Sequence, residues 1–128
     1  MRYTAGDYAF DSLAGRGHVG RHIGRTEVEL RERLQQASLQ VASSFADLDE
    51  AVACIDLALQ AEAEAVFRWL QLNRSPVHRI SATLPAPCGL VVTLSPRRVM
   101  MGATVRVVLR RDAGKSPPCY VETAFLLP

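Results

Sequence analysis

The chain has 128 residues, 48% hydrophobic and 22% charged, with a net charge of +2. That is one domain able to bury a core without a staple, and it excludes disordered and fibrous classes. No run reaches the roughly 18 apolar residues of a membrane helix, so no membrane partner is expected for the isolated domain. The opening MRYTAGDYAFDSLAG has no signal-peptide core.

The first 14 residues read as an arm or linker and residues 15–128 as the domain. Residues 15–23 look helical, ended by Gly24, and Thr26 with Glu29 is a capping-box pattern that starts a helix running to about Leu34 or Ala37. Asp47 with Glu50 repeats the signature, and Leu48, Val52, Ile55, Leu59, Val66 and Leu70 keep helical spacing to about Leu72, with a break near Gln60. Prolines then punctuate short β-branched runs. Strands are predicted over 78–84, 89–94, 104–111 and 119–126, with DAGKSPP as a hairpin loop. Helices first and strands afterwards predict an α+β domain, the N-terminal helices packed on a twisted antiparallel sheet.

Charge is unevenly spread. Residues 1–66 hold six basic against eleven acidic side chains and residues 67–128 nine against two, so the halves carry −5 and +7. A basic face is compatible with the small total. Cys54, Cys88 and Cys119, odd in number and far apart, fit no metal knuckle and no full disulfide framework. They are expected as buried small apolar residues, with one pair able to close if the fold joins it.

The stretch GRGHVGRHIGRTEVELRERL, residues 15–34, holds two of the three histidines and five arginines. His18 and His22, four apart, share a helical face. HVGRH lacks the internal Glu of a zincin motif and has no third ligand nearby, so no metal is expected. Acid–base chemistry beside phosphate and a plain solvated basic helix both fit the spacing. The acidic stretch 46–65 reads as the wet face of a helix. Trp69 reads as core. Arg106 and Arg110 share one strand face with Arg111 on the other, and Thr123 and Tyr120 are expected on opposite faces of the last strand.

Taken together, GHVGRHIGRTEVELRERL, ASSFADLDEAVACIDLAL, FRWL, TVRVVLRRD and CYVETAFLLP resemble the bacterial RNase A-like toxin domain, a C-terminal effector module of contact-dependent growth inhibition and other polymorphic toxins. The resemblance implies a kidney-shaped α+β fold similar to pancreatic ribonuclease and metal-independent, cofactor-free cleavage of RNA, with tRNA among the candidate substrates. It implies His22 as the acid–base group, Arg33 as the phosphate-charge stabiliser and Thr123 as a phosphate or orienting contact, with His18 and Phe125 supporting. Arg21, Arg25, Arg106 and Arg110 are the expected RNA contacts. Phe125 departs from the family pattern, which has Tyr there, and so offers no hydroxyl. The resemblance further implies a cognate immunity protein and delivery within a larger secreted effector to the target-cell cytoplasm. The rival expectation is a catalytically degenerate RNA- or immunity-protein-binding domain on the same fold.

Overall fold

In the computed structural model the described residues are 22–72, 75–114 and 116–128. Three helices and six strands follow in the order α1 (Glu27–Gln36), β1 (Val41–Phe45), α2 (Leu48–Ala61), α3 (Ala63–Leu72), β2 (Val77–Thr83), β3 (Gly89–Thr93), β4 (Arg98–Gly102), β5 (Thr104–Arg111) and β6 (Cys119–Leu127). None of the described helices is long and apolar enough to cross a membrane.

The helices begin where the caps direct. Thr26 Oγ1 accepts from Glu29 N at 3.2 Å while the Glu29 carboxylate accepts from Thr26 N at 3.1 Å, which satisfies two of the otherwise unpaired N–H groups of α1. Asp47 Oδ1 does the same for Glu50 N at the start of α2, at 2.8 Å. The break between α2 and α3 falls at Glu62, whose N–H still reaches Ala58 O. Two residues separate it from the break expected near Gln60.

The strands form two antiparallel three-stranded sheets, ordered β1-β3-β4 and β2-β5-β6, where one sheet was expected. Strands β2, β3, β5 and β6 lie close to their predicted ranges; β1 and β4 were not predicted. The hairpin between β5 and β6 falls on the predicted loop. The main core is shared by α2, α3 and both sheets, through side chains such as Phe45, Ile55, Leu59, Val66, Val91, Leu109 and Leu126. A smaller cluster lies on the other face of the first sheet, where Leu30 and Leu34 of α1 pack on Ala42 and Val92. Their i, i+4 spacing makes them one helix face. Strand β1 is therefore buried on both sides.

Ser43 and Ser44 show how polar atoms are accommodated there. Ser43 Oγ accepts from Leu126 N at 3.0 Å, fastening β1 to β6 across the two sheets. Ser44 Oγ accepts from Arg25 N and donates to Phe45 O, so neither buried hydroxyl is left unpaired. Gly89 lies against the Ser44 carbonyl so closely that a Cβ there would collide with it.

Two further expectations are corrected, and one left open, the cysteine pairing, is decided. Residues 15–21, with His18 and Arg21, and the 14/15 boundary lie outside the described residues, but Ile23, expected as helical, is not. Ile23 forms a parallel bridge to Phe45, and Gly24 turns away with φ +67° while its N–H bonds Phe45 O. Cys54 and Cys88 close a disulfide, leaving Cys119 as a free, buried thiol. The register of β6 shifts between Val108–Thr123 and Leu109–Val121, leaving Glu122 as the extra residue of a bulge. That bulge resets the alternation, so Tyr120, opposite Arg110, shares a face with Thr123 and Phe125. The expectation of opposite faces counted a regular strand and missed the inserted residue.

Candidate active site

The backbone of residues 22–25 is pinned to β1 by the Ile23 bridge and the Gly24 and Arg25 hydrogen bonds. This holds the half-buried His22 beside the end of β6. Arg33 reaches the same place from the last turn of α1, where a cation also faces the negative end of the helix dipole. Its Nη1 stands 3.4 Å from His22 Nδ1. With Arg33 as donor, Nδ1 accepts and the neutral ring carries its proton on Nε2. The Phe125 ring stands 5.7 Å from the imidazole, tilted by 42°.

His22, Arg33 and Phe125 line one cavity of about 120 Å³ with backbone and side chains of Val41–Ser43 and Leu126–Pro128. Thus three of the residues singled out in the sequence meet, although they come from three elements. Thr123 does not line this cavity. It lies two residues back along the same face of β6, about 7 Å away by strand rise. Its Oγ1 is buried and has no hydrogen-bond partner among the described residues, an arrangement that costs free energy unless something else uses the hydroxyl.

From Thr123 and Phe125 the same face continues over β5 and β2. Directly opposite pairs place Arg106 beside Phe125 and Ser81, Val108 between Thr123 and Arg79, and Arg110 beside Tyr120. Arg106 donates from Nε to Ser81 Oγ at 2.8 Å, which fixes the guanidinium and leaves its two terminal nitrogens for another acceptor. Arg110 is differently placed. Its Nε and Nη2 donate to the two Glu122 oxygens at 3.0 and 3.2 Å, and that carboxylate raises the Arg110 pKa further. Arg25 makes a loose exposed pair with Glu29 at 3.4 Å.

Arg79, exposed and without an ion pair among the described residues, was not singled out from the sequence. Only the strand register shows that it joins the face of Arg106. Arg111, on the opposite face as expected, is structural. It stacks over Trp69 at 4.8 Å and donates to Ser75 O and to the Trp69 carbonyl. The one group of possible metal ligands among the described residues is Glu50 with Cys54 and Cys88, whose sulfurs are already joined to each other.

Residues 17–125 match the sequence profile of the bacterial CdiA-CT RNase A domain. Among solved structures, the crystal structure of a CdiA-CT/CdiI complex from Y. kristensenii superposes with a TM-score of 0.82 at 26% identity, over 88% of this chain and 100% of that one. No curated protein sequence gives a significant match.

Proposed function

Because the chain belongs to the bacterial CdiA-CT RNase A domain family, the toxin domains of contact-dependent growth inhibition, we propose that it cuts RNA by attack of the substrate's own 2′-hydroxyl. The meeting of His22, Arg33 and Phe125 in one cavity carries the proposal. The 2′-oxygen attacks phosphorus, the 5′-oxygen leaves, and a 2′,3′-cyclic phosphate remains. Because the nucleophile is part of the substrate, this step needs no metal-bound water as attacking group.

His22 is the proton-transfer group. When an arriving phosphate draws the guanidinium across, Nδ1 is released to accept the proton of the 2′-hydroxyl, and the imidazolium so formed donates its Nε2 proton to the leaving 5′-oxygen. Arg33 stabilises the charge that grows on the non-bridging oxygens. The unpaired Thr123 hydroxyl has a use in binding phosphate or orienting the reacting group. Arg106 and Arg79 extend the cleft as RNA contacts, whereas Arg110 must first part from Glu122 to join them. DNA, lacking the 2′-hydroxyl, resists cleavage.

The domain acts in the target-cell cytoplasm after delivery within a larger effector, and a cognate immunity protein protects the producer. The Y. kristensenii relative was crystallised as a CdiA-CT/CdiI complex, which supports such a partner.

The test is cleavage of total bacterial RNA in EDTA. The wild-type domain should cut and leave cyclic phosphate ends, His22→Ala should lose about 10² to 10⁴ of the rate, and Arg33→Ala about 10² to 10³. A second reading rests on Phe125, which puts a bare ring against His22 where the family pattern has a phenol. It makes the chain a degenerate binder of RNA or immunity protein. Silence of the wild type with cleavage by Phe125→Tyr would establish that reading.

A further inference from the structure

The first sheet ends in β4, and among the described residues no strand pairs with its outer edge. Such an edge presents a row of unpaired N–H and C=O groups, and proteins usually blunt it with charge, proline or a covering segment. Among the described residues none of these protects Val99–Gly102; charge and proline stand only at the entry of the strand, at Pro96, Arg97 and Arg98. Val99 and Met101, 44% and 60% exposed, sit directly opposite Val92 and Leu90, so they prolong an apolar row that α1 covers only in part. The other sheet's edge, β2, differs: its exposed positions are Arg79 and Thr83.

Two further observations describe what would fit. On the other side of the strand, a groove of about 280 Å³ opens between Arg98, Met100, Pro96 and Pro128. A strand laid along β4 would send alternate side chains over Val99 and Met101 and into this groove, which is how strand addition obtains specificity. Arg97 and Arg98 stand exposed at the entry to β4, without an ion pair among the described residues. An acidic segment complements them.

We infer that the β4 edge is a docking surface for the cognate immunity protein, which adds an extended segment of alternating apolar and acidic side chains to the sheet. The inference rests on the reading that this toxin has such a partner. At strand spacings of about 4.8 Å, the added backbone would lie about 14 Å from β1, while the groove that takes its side chains shares Val41 and Pro128 with the His22 cavity. The contact therefore anchors the partner at the border of the cleft.

The experiment uses the protein encoded beside this chain as the partner. Its affinity is measured for wild type, for Arg97→Glu with Arg98→Glu, and for Met101→Lys, and backbone amide exchange over residues 98–102 is followed in the wild-type complex. Arg97 lies on the turn and Arg98 is the first residue of β4, both exposed, so their replacement leaves the core intact if the methionine variant fails to fold. Expected are at least tenfold slower exchange in β4, at least tenfold weaker binding by the variants, and unchanged RNA cleavage by the partner-free domain. Wild-type affinity in the variants, with unchanged exchange in β4, would overturn the docking site while leaving the partner reading intact. Absence of any complex with wild type removes the partner reading and the docking site with it. A dimer of the isolated domain that Met101→Lys abolishes would assign the edge to a second copy instead. Loss of binding to a single-stranded DNA oligonucleotide in the arginine variant, with partner affinity kept, would assign it to nucleic acid.

Discussion

Thr123 offers a sharp distinction between a residue kept for packing and one kept for chemistry. A buried hydroxyl without a partner is a burden on the fold, so Thr123→Val, which keeps the shape, should leave stability unchanged or raise it by up to about 1 kcal/mol. If the hydroxyl meets the substrate, the same change lowers cleavage. Thermal melts and initial rates on one preparation read both effects, and a destabilised variant with normal rate would count against the assigned role. His78 is a residue of the other kind. It stacks on Trp69 at 5.2 Å, and burial lowers its pKa against the opposing pull of Glu62. A histidine held neutral by the fold binds fewer protons native than unfolded. Its contribution is therefore complete above the unfolded value of about 6.5 and is lost as pH falls through the lowered native value. Denaturant midpoints should decline with acidification in that window, and His78→Phe, which keeps an aromatic ring on Trp69, should flatten the decline.

At the scale of elements, what was legible was what is local. The Thr26 and Asp47 caps act within one turn, and both helices start where they direct. Thr26→Ala should cost about 1 kcal/mol and lower Tm by about 4 °C. Arg33, in the far turn of α1, should keep its place, so cleavage at 25 °C should stay within twofold. Elements whose identity depends on distant partners were not legible. In β1, VASSF has no alternation to read because both faces are buried, and its two serines are satisfied by residues 25 and 126. In β4, RVMMG is short and mostly exposed. The bulge at Glu122 leaves no mark in composition, yet it moves Tyr120 to the face of Thr123. The pairing of His22 with Phe125, more than one hundred positions away, came from the family resemblance and not from any spacing.

Across the whole molecule, the acidic first half supplies α1, α2 and the start of α3, and the basic second half most of the strands, which gathers arginines onto one sheet face beside the cavity. The halves are also joined covalently, because Cys54 lies in α2 and Cys88 just before β3. For a closed loop of this separation, 34 positions, loop-closure entropy alone is worth about 4 kcal/mol. Calorimetry with reductant should therefore show Tm lower by about 15 °C. Native Cys119, its thiol pKa pushed up to about 12 by burial, should stay unalkylated under either condition. The bond has a topological meaning as well. A chain tied between positions 54 and 88 is no longer a thread but a noose with two tails, and where the loop passes a narrow aperture two strands must lie abreast. Single-file passage and the closed loop exclude each other: an extended chain either crosses before it is oxidised or is reduced on the way.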